Sequence, residues 1–216
     1  MTRSPFAVLA SLALGINAAP ALAEEEGQLW FTQNVARKLS SDNDRLLLEV
    51  NERIRSERFG GNQFETGLFY SRPLSDGVRG GVGVIYSHSG STGEYRLAPE
   101  VELSRGILRA RTRLEMRSVE GIDPLQWRIR QRVGVSVPTG ARGLTANLSA
   151  EAFFALNPAR PGGPTGFNAV RTIAMLQQKV SDTVSVSAGY VRQHDIRRNA
   201  EDRIGNAAYF ALALSF

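Results

Sequence analysis

Hydrophobic and polar side chains alternate along nearly the whole chain after its N-terminal segment. In residues 45–55, one face of the pattern carries Leu46, Leu48, Val50 and Ile54, and the other carries Glu49, Asn51, Arg53 and Arg55. Successive side chains of a strand point to opposite sides of a sheet, so a period of two predicts a two-faced β-strand. No stretch shows a sustained apolar stripe at helical spacing. The pattern therefore predicts an all-β protein.

Eleven segments share this alternation, and most have the length of about ten residues that is typical of a membrane-spanning strand. Strands of globular proteins average about 5–6 residues. Short and long predicted connections alternate, as they do in outer-membrane barrels. The eleven segments are 28–39, 45–55, 63–72, 78–88, 94–104, 107–117, 125–137, 144–156, 168–180, 184–194 and 204–216.

The hairpin around Arg105 and Gly106 shows how the two faces differ. If these two residues form the turn, one face places Glu102 opposite Arg109 and continues with further charged pairs, while the other face carries no charge. Opposite charges at facing positions stabilise a sheet by about 0.2–1 kcal/mol per pair. Pro99 cannot donate a ladder hydrogen bond, so we expect a local irregularity there.

The basic residues indicate which face is enclosed. Of the 26 basic residues, all except Lys38 and Lys179 are arginine. The planar guanidinium group of arginine is well suited to pairing with carboxylates in enclosed sites. A membrane barrel turns its charged face inward, whereas a soluble sandwich turns it to solvent. The rows of arginine are matched by glutamates, which also include Glu65 and Glu151. This matching favours an up-and-down antiparallel transmembrane barrel. Its predicted lumen is lined by Glu49, Arg53, Arg55, Glu94, Arg96, Glu100, Glu102, Arg109, Arg111, Arg113, Glu115, Arg117, Arg128, Arg130 and Arg132.

Aromatic residues and the C-terminal segment favour the same orientation. Positions suited to interfacial aromatic girdles are occupied by Trp30, Tyr70, Tyr86, Tyr95 and Trp127. The last segment alternates apolar residues, namely Phe210, Leu212, Leu214 and Phe216. This ending resembles the C-terminal strand of bacterial outer-membrane barrels, which the barrel assembly machinery recognises in that group of proteins.

More narrowly, the chain resembles an uncharacterised family of bacterial outer-membrane β-barrels, a domain-of-unknown-function family. The resembling stretches are Trp30, Leu46 to Arg55, Trp127 to Arg130, Gly189-Tyr190 and Phe216. The resemblance implies a barrel in the outer membrane and brings no activity, catalytic residue or cofactor with it. We expect outer-membrane lipid, lipopolysaccharide and the barrel assembly machinery as partners.

Residues 1–23 are predicted to be a secretory signal peptide. Arg3 precedes an apolar stretch from Pro5 to Ile16, and Ala21-Leu22-Ala23 forms a cleavage site. The apolar stretch is shorter than the roughly 20 residues that span a bilayer. Residues 24–216 are then a single barrel domain. The absence of cysteine excludes disulfides, thiolate metal sites and cysteine catalysis.

The number of strands is open between ten and twelve. Single-chain bacterial barrels have even strand numbers, and eleven segments break that rule. Either one strand is missing from the pattern, or residues 28–39 lie partly in the lumen and ten strands form the wall.

A barrel of this size lies between small barrels filled by side chains and wide porins. The many inward arginines predict a narrow or occluded lumen, with a structural or envelope role or a weak, anion-biased pore. A second hypothesis is a lipid-modifying enzyme that uses His88, or His194 with Asp195, near the outer rim. The predicted strand order separates the two histidines and disfavours catalysis.

A third hypothesis is the binding of lipopolysaccharide phosphates at the cell surface. Its candidate residues are Arg192, Arg197, Arg198 and Arg203, whose charges are nearly balanced by neighbouring acids. Nucleic-acid binding is rejected, because the arginines alternate along strands with matched glutamates. No cluster has metal-ligand spacing, so no metal is expected.

Overall fold

The computed structural model describes residues 23–39, 43–158, 165–198 and 200–216. The predicted signal peptide lies outside these residues except for Ala23. Eleven strands form one closed barrel in which chain neighbours pair. The strands are β1 Ala23–Lys38, β2 Arg45–Ile54, β3 Gln63–Ser75, β4 Val78–Ser89, β5 Thr92–Arg105, β6 Leu108–Val119, β7 Ile122–Pro138, β8 Leu144–Ala155, β9 Gly166–Lys179, β10 Val184–Asp195 and β11 Asp202–Ser215, with one 3₁₀ turn at Glu57–Phe59. In the described ranges no helix is long and apolar enough to cross a membrane.

The strand number is odd, and it falls between the two values that the sequence left open. All consecutive strands pair antiparallel. The closing pair, β1 with β11, is parallel from Ala23 to Ala36. An odd number of alternating strands requires one parallel pair, because the first and last strands then run in the same direction. Residues 28–38 therefore belong to the wall and not to the lumen.

The two longest connections, from β2 to β3 and from β8 to β9, lie at the same end of the barrel. At the end where β1 begins, here called the loop end, the chain passes from β2 to β3, from β8 to β9 and from β10 to β11 through connections of six or more residues. The opposite end, here called the turn end, carries tight turns such as Asp76-Gly77. The predicted alternation holds for these connections. It fails at residues 120–121, which form a tight turn at the loop end where a loop from Ser118 to Pro124 was expected.

The β5–β6 hairpin keeps its predicted faces but differs in register by two residues. The turn consists of Gly106 and Ile107, so Glu102 faces Arg111 and not Arg109. Gly106 has a φ of +56°, and the favoured two-residue hairpins need a positive φ at this first turn position. A shift of two residues leaves every side chain on its original side of the sheet. The assignment of charged and apolar faces is therefore unaffected.

Pro99 interrupts the same ladder, as the sequence predicts. The register pairs Leu97 with Met116 and resumes at Glu100, so Ala98 and Pro99 have no paired partner on β6. The missing N–H of proline accounts for the gap.

Charged rows turn inward and apolar rows turn outward. Arg113 and Glu115 are 2% and 0% exposed, whereas Val84 and Leu108 on the outer face are 58% and 57% exposed. Leu48, on the apolar face of β2, is also exposed. This arrangement is the reverse of a soluble sandwich, in which apolar side chains pack in a dry centre.

Two small apolar clusters also lie inside the barrel. One consists of Phe69, Ile85 and Ala98, with Leu47 packed against it. The other contains Trp30 with Val191 and Ala207. The prediction that Trp30 belongs to an interfacial girdle is wrong, because Trp30 shares the inward face of β1 with Thr32 and is buried.

Glycines on β3 and β4 make room for the Phe69 ring. A Cβ added at Gly67 would lie 2.7 Å from Phe69 Cε2, and one at Gly83 would overlap Phe69 Cδ1. Both positions share the inward face with Phe69 and Ile85. The ring therefore lies against the inner wall in space that two missing side chains leave free.

Gly83→Ala is expected to destabilise the folded barrel by about 1–3 kcal/mol, because the added methyl group overlaps the Phe69 ring. Gly27→Ala is the matched control, since no atom lies within 4 Å of its added Cβ. Urea unfolding of the detergent-refolded protein, followed by tryptophan fluorescence, measures both. Equal stability of the two variants would contradict this packing.

Candidate functional site

Ion pairs fill the middle of the lumen, and Glu151 on β8 is their centre. Its side chain is 1% exposed and contacts arginines from three strands. The contacts are Arg111 on β6 at 3.3 Å, Arg130 and Arg132 on β7 at 3.0 and 3.1 Å, and Arg171 on β9 at 3.5 Å. One buried carboxylate thus joins its own strand, β8, to three others, and these four strands are consecutive in the wall.

Two more carboxylates extend this network. Glu115 pairs with Arg128 and, at 2.8 Å, with Arg130. Glu100 pairs with Arg113 at 2.7 Å and lies 3.9 Å from Arg111. The connected network therefore contains six arginines and three glutamates, and it carries a positive excess.

A second, balanced group lies nearer the loop end. Arg96 pairs with Glu65 and with Glu94, each at 2.6 Å. Arg117 pairs with the same Glu94. Arg96 and Glu65 are both buried, and this pair joins β5 to β3 across the intervening strand.

Contacts between distant strands cross the lumen. Arg45 on β2 lies 3.4 Å from Glu102 on β5. The Arg113 guanidinium lies 4.5 Å from the Phe69 ring centroid. The Arg171 guanidinium lies 5.0 Å from the Trp30 ring centroid. Each contact joins strands that are three positions apart in the wall, so these side chains extend well into the lumen.

At the loop end, the β2–β3 connection folds toward the opening. Phe59 is buried, and the Arg203 guanidinium lies 5.6 Å from its ring centroid. Arg55 donates a hydrogen bond to Ser89 Oγ at 2.7 Å. Burial lowers the pKa of Arg55, and nearby carboxylates oppose this shift.

The remaining predicted lumen residues take part in separate contacts. Arg53 lies 4.1 Å from the Trp30 ring centroid, and Glu49 accepts a hydrogen bond from Asn51 at 2.9 Å. Arg109 lies at the turn end and is exposed. On the outer face of the last strand, Phe210, Leu212 and Phe216 are exposed, and Leu214 is partly buried.

Several luminal residues were missing from the candidates. They are Arg45, Arg171, Trp30, Phe69 and Phe153, of which the last lies beneath three guanidinium groups. Arg171 had a usable signal, since it is the one charged residue in 168–178. The aromatic residues gave no such signal. A ring that points into a lumen and a ring that packs in an apolar core occupy the same alternating positions along a strand.

The two histidines lie apart and do not share a site. His194 Nε2 lies 2.8 Å from Asp202 Oδ2, so its partner is not the neighbouring Asp195. His88 lies on β4, far around the wall from β10. Within the described ranges no group of three or more potential ligands is arranged for a metal ion.

The arginines that the sequence suggests for binding lipopolysaccharide phosphates contact different partners. Arg192 lies 3.6 Å from Glu25, and Arg203 lies 3.5 Å from Glu24. Arg198 donates a hydrogen bond to the carbonyl oxygen of Thr165. These arginines connect the loop end to β1 and to a neighbouring loop.

A family model described as "Protein of unknown function (DUF2490)" matches residues 27–204. The chain belongs to the DUF2490 family. The matched range runs from β1 to the beginning of β11 and so includes the whole ion-pair network. The resemblance to an uncharacterised domain family is confirmed. No curated protein and no solved structure matches this DUF2490 chain.

Glu151→Gln is expected to lower the free energy of unfolding by about 3–5 kcal/mol. The change leaves Arg132 and Arg171 without a carboxylate within ion-pair distance among the described residues. Asp182→Asn is the matched control, because it removes an exposed carboxylate paired with Lys179 and should leave stability nearly unchanged. Urea unfolding compares the variants. A Glu151→Gln protein as stable as the control would show that the network does not depend on this carboxylate.

Proposed function

We propose that this DUF2490 protein is a bacterial outer-membrane barrel with an occluded lumen and a structural role in the envelope. The observation that supports this proposal most directly is the orientation of the barrel wall, which buries the charged side chains and exposes the apolar ones. Its expected surroundings are outer-membrane lipid and lipopolysaccharide, and its insertion would use the barrel assembly machinery.

The outer surface supports a lipid environment. Apolar side chains are exposed on strands all around the barrel, including Val84, Leu97, Val133, Leu176 and Val186. Soluble monomeric proteins rarely expose contiguous apolar patches larger than a few hundred Å². Membrane barrels require such a band, because their outer face contacts hydrocarbon.

An outer aromatic belt supports the same proposal. It consists of exposed rings in the halves of the strands nearest the loop end, namely Phe64, Tyr95, Trp127, Phe154, Phe167 and Tyr190. Neighbouring rings contact each other, as in Phe154 and Phe167, whose centroids are 5.5 Å apart. Aromatic girdles of this kind lie at the interfaces between the hydrocarbon and the head groups.

The contacts across the lumen favour a structural role over a pore. A channel needs a continuous aqueous path, whereas contacts such as Arg113 with Phe69 and Arg171 with Trp30 narrow the lumen. The positive excess of the network predicts anion preference for any residual leak. A structural role in the envelope requires only that the wall is stable in the bilayer, and the internal ion pairs give its buried charges close partners.

Val84→Arg is expected to destabilise the barrel in phospholipid bilayers by about 2–4 kcal/mol, since it places a charge on the lipid face in the middle of β4. Asp76→Arg, in a turn, is the control and should be tolerated. Cell fractionation and gel migration before and after boiling measure the folded protein in the outer membrane. Recovery of the unmodified protein from the periplasm, with no heat-dependent change in migration, would contradict the proposal.

In planar bilayers the unmodified protein is expected to show no stable conductance, because side chains occupy the middle of the lumen. Phe69→Ala combined with Arg113→Ala removes one contact across the lumen and should produce small, anion-selective currents. Large stable currents from the unmodified protein would contradict the occluded lumen. Strong cation selectivity would contradict the role given to the arginine excess.

A further inference from the structure

Between the ion-pair network and the turn end, the lumen contains a pocket of about 320 Å³. Its polar lining includes Ser104, Arg109, Arg111, Arg132, Asn147 and Ser149, from four consecutive strands. The volume is at the lower end of the range for small-molecule sites, about 300–1,000 Å³. The pocket is therefore large enough for a small solute.

The arginines of this pocket have unused hydrogen-bonding capacity. Among the described residues, Arg109 has no carboxylate within ion-pair distance, and its Nη1 donates to the carbonyl oxygens of Gly106 and Leu108 at 2.7 and 2.8 Å. Arg132 has a buried Nε without a hydrogen-bond partner in the described part of the chain. Its Nη2 contacts Glu151, which three other arginines share.

The local charge is positive. The pocket contains three arginines and one carboxylate, Glu102. That carboxylate lies 3.4 Å from Arg45, a fourth arginine at the same end of the lumen. Guanidinium groups form strong, bidentate hydrogen bonds with carboxylates and phosphates. The hydroxyl groups of Ser104 and Ser149 are additional donors for a second oxyanion group or a neutral part of the same molecule.

We propose that this pocket binds a small solute that carries phosphate or carboxylate groups. The oxyanion contacts Arg109 and Arg132, and the rest of the solute lies against the polar wall formed by Asn147 and Ser149. Glu151 and its arginines close the inner side of the pocket. The site therefore holds a solute at the turn end and does not conduct it through the barrel.

The test is isothermal titration calorimetry of the refolded barrel in nonionic detergent with inorganic phosphate, with citrate and with glucose. Phosphate or citrate is expected to bind and glucose is not, and the tighter anion identifies the group that the site prefers. Arg109→Gln should weaken binding about ten-fold, the loss of one charge-assisted hydrogen bond. Because the hydrogen bonds of the Arg109 side chain in the described part of the chain go to carbonyl groups of its own hairpin, this variant should keep its heat-dependent gel migration.

Arg105→Gln is the matched control. Arg105 lies in the same hairpin and is exposed, but it belongs to the opposite face of β5, so its removal changes the net charge equally without changing the pocket. Ser149→Leu fills the pocket and keeps every charge, and it should abolish binding. The proposal fails if neither anion binds, if Arg105→Gln weakens binding as much as Arg109→Gln, or if Ser149→Leu binds normally. These measurements use purified protein, so they are independent of its cellular location.

Discussion

Pairing between buried guanidinium and carboxylate groups is the constraint on which the barrel depends. Removing an ion from water costs several kcal/mol even after the protein relaxes, so each luminal charge needs close partners. The register between β6 and β7 makes close counter-charges especially necessary, because Arg111 faces Arg132 and Arg113 faces Arg130. Facing like charges are destabilising unless a counter-charge lies between them. Glu151 meets that requirement by contacting three of these four arginines.

The width of the barrel explains why arginine is used in place of lysine. Eight strands enclose a space that ordinary side chains fill, and eleven enclose a wider one. Arginine has a long side chain, several donors in one plane and a flat face that packs on aromatic rings. Arg171 uses these properties together, since it pairs with Glu151 and lies over both Trp30 and Phe153. Luminal aromatic rings therefore belong to the same packing system as the ion pairs.

Alternation along the chain was sufficient to predict the all-β class, the strand segments and the two faces of the wall. It was insufficient for register, because a shift of two residues, as at Gly106, leaves every face unchanged. The pattern also could not predict how the barrel closes, because the relative direction of β1 and β11 depends on the complete ring. In the lumen, charge compensation predicted the rows of Arg and Glu. The pattern did not show that Trp30 and Phe69 lie among them, because ring orientation depends on neighbouring strands.

The parallel seam between β1 and β11 has a consequence for the order in which the wall forms. Every other junction joins strands that are neighbours in the chain, but this one pairs Ala23 with Asp202 and needs nearly the whole chain to be present. Non-local pairing carries a large loop-closure entropy, and parallel ladders are slightly less stable per residue than antiparallel ones. Without β1, the ten strands β2–β11 begin and end in opposite directions and meet the even-number rule by themselves. The ring thus consists of an even-stranded sheet and one inserted strand, and it closes through the parallel ladder of 14 residue pairs between β1 and β11.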